Sequence, residues 1–164
     1  MSDTALEKIF DRLRVDLSRD SLIQTTTDKL RAELNADRVV LYYFYYKWAG
    51  RVTFESLSHQ RYTILGLAGP DECFNGEYAK LYEAGRVRSI ADITIEPIAP
   101  CHRDFLQQIE VKANLVVPIL TEHGLWGLLV AHACQSNQNW SAGEIAAMQV
   151  GAEKLATARS IRDN

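Results

Sequence analysis

Two cysteines of this 164-residue chain stand where a thiol does chemistry. Cys101 is preceded by Pro100 and followed by His102. A proline favours the first position of a helix, where its missing N–H would be unpaired anyway. A thiol just inside a helix start feels the positive end of the helix dipole, which favours the thiolate, the species that adds to carbon electrophiles. Upstream, Cys73 sits in the run Asp71-Glu72-Cys73-Phe74. The third cysteine, Cys134, has no such neighbours and reads as a small buried structural thiol. No CxxC spacing links the three, so neither a disulfide framework nor a structural zinc site is expected. Cys101 and His102 do not make a nucleophile and base pair either, because adjacent helical residues point about 100° apart. An enzyme of that kind is not expected.

Acting together, these residues need elements to hold them. Leu6, Ile9, Phe10, Leu13 and Leu17, then Leu22, Ile23, Leu30 and Leu34, recur at three- and four-residue steps, which predicts two helices. The break falls over 18–21, with Asp20 or Ser21 placed to cap the second helix. Arg38 to Trp48 is rich in β-branched and aromatic residues and Arg51 to Ser58 alternates, which predicts a β-hairpin. Strand alternation buries only every second ring of Tyr42 to Tyr46, so these read as hairpin packing. From Leu65 to Pro100 the pattern weakens into an insertion of the kind that carries function. It holds a short helix around Glu77 to Glu83, a stop at Gly85, and a short strand flanked by Arg86 and Arg88, which alternation puts on one face.

Pro100 opens a short helix through Ile109, and two strands, Ala113 to Leu120 and Leu125 to His132, follow around the turn Glu122-His123-Gly124. Trp126 and Trp140 read as packing residues. Ser141 with Glu144 forms a capping box that opens a last helix reaching about Arg159. The order predicts an α+β domain, an antiparallel sheet with the terminal helices packed on one face. The length fits one domain over 1–164, with an N-terminal helix over about 4–18 and a core over about 20–160.

Apolar residues make up 47% of the chain and charged residues 24%, enough to build a core. The net charge of -3, from 21 acidic and 18 basic residues without a basic run, argues against nucleic acid as a partner. No apolar stretch approaches the roughly 18 residues that span a bilayer, and Met1 leads into Ser2-Asp3-Thr4 rather than a signal segment. A cytoplasmic domain without membrane contact is expected.

Three segments taken together resemble the bilin-binding GAF domains of cyanobacteriochromes and phytochromes. They are Pro100-Cys101-His102, then Val111 to Ile119, then Leu125-Trp126-Gly127-Leu128-Leu129-Val130-Ala131-His132. Asp71-Glu72-Cys73-Phe74 is similar to the Asp-X-Cys-Phe motif of a dual-cysteine subgroup of the cyanobacteriochromes. The resemblance implies a GAF fold with a bilin pocket on the sheet face opposite the terminal helices. It also implies a photoreceptor whose linear tetrapyrrole, phycocyanobilin or phycoviolobilin, is attached covalently at Cys101. His102 would lie against the bilin plane, and Asp71 would face the pyrrole N–H groups, since a buried cationic bilin needs a nearby anion. His132 would lie near the last ring.

By the same resemblance Cys73 would be a second, reversible ligand. Its addition to the methine bridge between the central rings would interrupt conjugation and give a violet or blue state. Z/E isomerisation would release it and give a green to orange state. Arg86 and Arg88 are candidates for a bilin propionate, which a guanidinium grips bidentately. Tyr82 is a further pocket candidate, and Asp92 another. Output would lie in a signalling domain of histidine kinase, methyl-accepting or cyclic-di-GMP type, and the amphipathic terminal helices offer a homodimer contact. Two alternatives remain at this point: a light-independent GAF domain binding a small effector such as a cyclic nucleotide, and a thiol redox sensor using Cys73 and Cys101.

Overall fold

The N-terminal periodicity forms α1 (Asp3–Arg19) and α2 (Ser21–Leu34) in a computed structural model that describes residues 3–46, 49–69 and 76–164. Asp20 is the residue that caps α2, its carboxylate accepting from the Leu22 amide at 3.1 Å. The helix stops at Asn35, which takes the left-handed conformation that Asn tolerates (φ 49°).

The hairpin is β1 (Arg38–Tyr46) and β2 (Ala49–Leu57). The remaining strands are β3 (Arg88–Ile90), β4 (Ala113–Thr121) and β5 (Gly124–Ala133). All pair antiparallel in the order β2-β1-β5-β4-β3, so the most apolar strands sit inside the sheet and short β3 at its edge. Two helices, α3 (Gly76–Glu83) and α4 (Pro100–Gln108), lie in the connections around β3. The chain ends in α5 (Ala142–Ala156), opened by the Ser141 and Glu144 capping box, and α6 (Arg159–Arg162). A serine cap of this kind stabilises a helix by about 1 kcal/mol. Two expectations need correcting. The last helix ends at Ala156 and a short one restarts at Arg159, rather than one helix running through. The strand expected between Arg86 and Arg88 begins at Arg88, because Arg86 is taken up in closing α3, its amide bonded to the Leu81 carbonyl.

Alternation along the central strands builds two apolar compartments. Val39 and Leu41 of β1, Leu115 and Val117 of β4, and Leu129 and Ala131 of β5 share a core with α1, α2, α5 and α6. Each fully buried side chain of valine or leucine size stabilises by roughly 1.5–3 kcal/mol. Val40 and Tyr42, Val116, and Leu128 and Val130 cluster separately on the other face. A bulge between β4 and β5 adjusts the pattern. Leu120 pairs with Leu125 and Ile119 with Gly127, so Trp126 is the extra residue and turns into the helix-side core against Tyr43. Gly127 then passes so close to β1 that a Cβ there would lie 2.1 Å from the Tyr42 carbonyl oxygen.

Candidate functional site

The sheet face away from the terminal helices is roofed by α4. Ala99, at the start of that helix, makes no side-chain cap, and Pro100 takes the first helical position. Arg103 fixes the helix, donating to the carbonyls of Ile93 (2.9 Å) and Glu96 (2.6 Å). Leu106 anchors it in a cluster with Ile90, Ile93, Ile98 and Val111.

Between α4 and the sheet lies an open cavity. Val40, Val116, Leu128 and Val130 give it an apolar floor, and Phe105 and Ile109 line it from the α4 side. An apolar lining with a few convergent polar groups suits an organic ligand. Arg88, His102, Asn114, His132, Tyr42 and Tyr82 supply the polarity.

At one end the polar groups form a row across three strands. His132 on β5 pairs directly with Arg38 on β1 and with Asn114 on β4. Arg38 is 1% exposed, and its guanidinium donates to three acceptors: His132 Nδ1 at 3.0 Å, the Tyr62 carbonyl at 2.7 Å and the Ile109 carbonyl at 2.6 Å. A guanidinium has only donors, so the first bond requires an unprotonated Nδ1 and leaves the ring proton on Nε2. Burial, with the charges of Arg38 and His102 adding to it, holds the His132 pKa well below its ordinary value. His132 is therefore a neutral imidazole of fixed tautomer. Burial lowers the pKa of Arg38 too, against the raising influence of Cys134, Glu55, Glu110 and Asp37.

His102 is likewise neutral: burial, then the charges of Arg88 and Arg86, lower its pKa to about 4. Two buried polar atoms in lining residues have no hydrogen-bond partner among the described residues, Arg88 Nε and Asn114 Oδ1. Buried donors and acceptors are nearly always paired, so an orphan of each kind in one cavity points to a ligand carrying both.

Of the residues singled out in the sequence, His102, Arg88, Tyr82 and His132 come together around this cavity. Cys101 is exposed at the start of α4, next to His102. Its sulfur is engaged in a disulfide, which corrects the expectation of unlinked thiols. Arg86 does not line the cavity; it stands 5.8 Å from the Tyr82 ring and acts on His102 through its charge. Asp71, Cys73 and Phe74 lie outside the described residues. Asp92 is elsewhere, closing a turn by accepting from the Thr94 amide at 2.9 Å and hydroxyl at 2.6 Å. Cys134 is buried at the end of the sheet, and burial pushes its thiol up to about 11. Sequence reading missed Arg38, Asn114 and the pocket role of Tyr42, whose hydroxyl accepts from the Gly69 amide at 3.0 Å. Their signal was a polar residue at a position where strand alternation demands an apolar one.

Residues 18–158 match the model of the GAF domain, and the chain belongs to that family. Within it the similarity runs to photoreceptor domains. The blue-light absorbing form of the PixJ GAF domain of Thermosynechococcus elongatus superposes with a TM-score of 0.78 at 30% identity, over 88% of this chain and 86% of that one. A phycocyanobilin-bound GAF domain from a cyanobacterial phytochrome gives 0.74 at 32% identity, over 92% and 91%. An uncharacterised protein of Picosynechococcus sp. PCC 7002 is 45% identical over 95% of this chain and 96% of its own length. A putative methyl-accepting chemotaxis protein of Synechocystis sp. PCC 6803 is 35% identical over 85% of this chain, which spans only 14% of that protein. No helix among the described residues is long and apolar enough to cross a membrane.

Proposed function

We propose that this domain carries a linear tetrapyrrole, phycocyanobilin or phycoviolobilin, on Cys101 and works as a reversible light sensor with Cys73 as a second thioether ligand. The observation that carries the reading is the apolar cavity itself. It holds an unpaired buried donor and an unpaired buried acceptor and is roofed by the helix that begins at Pro100-Cys101-His102. A bilin fits that lining: a flat apolar body with ring N–H groups, terminal carbonyls and carboxylates. When bound it supplies visible absorption and a double bond that light isomerises. Phycocyanobilin in a similar GAF domain supports the choice of ligand class.

The residues divide the work by chemistry. Cys101 would act as a thiol, so a thiol reductant such as glutathione would first open its disulfide by exchange, two reductant thiols being oxidised to one disulfide as two protein thiols are released. Cys101 would then hold the ligand as a thioether, its S–H adding across a carbon–carbon double bond with sulfur on one carbon and the proton on the other. Neutral His102 accepts a hydrogen bond, which an imidazolium cannot do. Arg88 directs its unpaired Nε–H to a carboxylate, with Arg86 adding charge nearby. His132 donates from Nε2 to a terminal carbonyl. By the resemblance Asp71 would supply a carboxylate to the ring N–H groups, while Tyr82 lines one wall of the cavity. Output passes to a domain outside this chain, of the methyl-accepting type by likeness to the Synechocystis relative.

The test is to produce the domain in cells that also make phycocyanobilin and to record absorption before and after blue and green illumination. The expected product is coloured and interconverts between a violet or blue form and a green to orange form. A colourless product, or one indifferent to light, refutes the reading. Replacement of Cys73 by Ala is expected to abolish the short-wavelength form while the bilin stays attached; an unchanged spectrum would remove Cys73 from the mechanism.

A further inference from the structure

Tyr42 is buried on the cavity face among the aliphatic side chains of Val40, Val52, Leu128 and Val130. Apolar packing accounts for its ring but not for its hydroxyl, since a buried phenol oxygen needs a polar partner. The hydroxyl finds one beyond the cluster, accepting from the Gly69 amide at 3.0 Å. Two glycines make room for that reach. A Cβ at Gly50 would lie 2.5 Å from Tyr42 Cε1, and one at Gly69 would overlap the Tyr42 hydroxyl itself. Phe44 holds the ring edge-to-face, with centroids 5.5 Å apart.

Gly69 ends a return segment along the outer edge of β2. Val52 fastens that segment twice, its amide donating to the Leu67 carbonyl at 3.0 Å and its carbonyl accepting from the Gly66 amide at 2.9 Å. Past Leu67 the hold is the bridge between Arg51 and Ala68, a longer bond of 3.4 Å from the Gly69 amide to the Gly50 carbonyl, and the Tyr42 hydroxyl. Cys73 follows four residues after Gly69, outside the described residues. Four residues of chain reach about 14 Å at most, so the point at which Gly69 is held bounds the space that the Cys73 thiol can sample.

We infer that Tyr42 is a positioning residue for the second thiol: its hydroxyl pins Gly69 and so concentrates Cys73 at the cavity. The inference rests on the reading of Cys73 as a second thioether ligand and goes beyond it by naming the residue that delivers the thiol. The S–H of Cys73 adds across the conjugated system, sulfur to the bridging carbon and the proton to a ring nitrogen, so nothing is oxidised or reduced. A tethered thiol reacts at a rate set by its effective concentration, which falls as the free tether lengthens. Without the hydroxyl the last short bond lies back at Leu67, and the order of the freed residues has to be restored each time the thioether forms.

The experiment uses the bilin-bearing domain from cells that also make phycocyanobilin, and follows recovery of the short-wavelength form after a pulse of green light, per molecule of attached bilin. Tyr42→Phe is expected to slow that recovery about fivefold, the worth of one net hydrogen bond, with the maximum of the long-wavelength band in place and hydrogen exchange at the Gly69 amide accelerated. Gly69→Ala, whose Cβ displaces the same hydroxyl, is expected to give the same slowing and serves if the phenylalanine variant does not fold. Slowing of less than about twofold, below what one hydrogen bond is worth, overturns the inference alone. So does slowing accompanied by a displaced long-wavelength band, which would report contact of Tyr42 with the bilin rather than with the chain. A wild-type domain that acquires no bilin, or a spectrum that Cys73→Ala leaves unchanged, overturns the reading beneath and this inference with it.

Discussion

Replacement of Arg38 by methionine is expected to destabilise the fold by about 3 kcal/mol, because two buried acceptors and one partly buried acceptor lose their donor at once and each such loss costs about 1 kcal/mol or more. The three belong to different parts of the chain: His132 on β5, the Tyr62 carbonyl after the hairpin, and the Ile109 carbonyl at the end of α4. Methionine fills most of the volume and avoids burying a cation, which offsets part of the loss, but it bonds none of them. Arg38→Lys keeps the charge and still fails, since an ammonium on a flexible stem does not span three acceptors set for a planar fork. Urea unfolding monitored by intrinsic fluorescence measures both variants. A methionine variant whose midpoint matches the wild type would show that the carbonyls find other donors. Without the Nε bond the His132 tautomer is also released, so, under the light-sensor reading proposed above, a methionine variant carrying bilin is expected to lose photoconversion amplitude beyond what its stability explains.

The second large effect is on acid stability. In the unfolded chain a histidine titrates near 6.5, whereas His102 is lowered to about 4 and His132 well below its ordinary value in the fold. Below pH 6.5 the unfolded state therefore binds more protons than the folded one, and stability falls as pH falls. The slope approaches about 1.4 kcal/mol per pH unit for the buried His132. His102 adds less than this because it is partly exposed, and its share is exhausted near pH 4, where it charges in the folded state as well. Above about pH 7.5 neither group contributes any slope. The unfolding midpoint is thus expected to be level from about pH 7.5 to 8.5 and to drop steeply from about 6.5 to 5. His132→Gln should remove one proton's worth of that drop; an undiminished drop in this variant would assign the acid sensitivity to other groups.

The sheet and the terminal helices were legible because their residues obey one rule each. Leu13 and Leu17 keep helical spacing, and Val39 and Leu41 alternate, so periodicity alone orients them. Cys101 and His102 were legible through Pro100, which starts α4 by local geometry. The polar row was not. Arg38, Asn114 and His132 are separated by up to 94 residues, and their partnership depends on strand register, which no local spacing encodes. In sequence Arg38 is a charged strand start and Asn114 a lapse in an apolar strand, although both are buried. Alternation correctly gives Tyr42 a packing role, but it does not say which compartment receives the ring. Arg86 and Arg88 part company because the end of a short helix such as α3 is not encoded to the residue.

The sheet that floors the cavity is only one backbone thick, and consecutive residues of β5 belong to different compartments: Leu129 and Ala131 to the helices, Leu128 and Val130 to the cavity. Evolution and the experimenter alike therefore have two independent alphabets written on one strand. Changing the even-numbered letters re-cuts the mould in which a ligand is cast, while the odd-numbered ones go on spelling the scaffold.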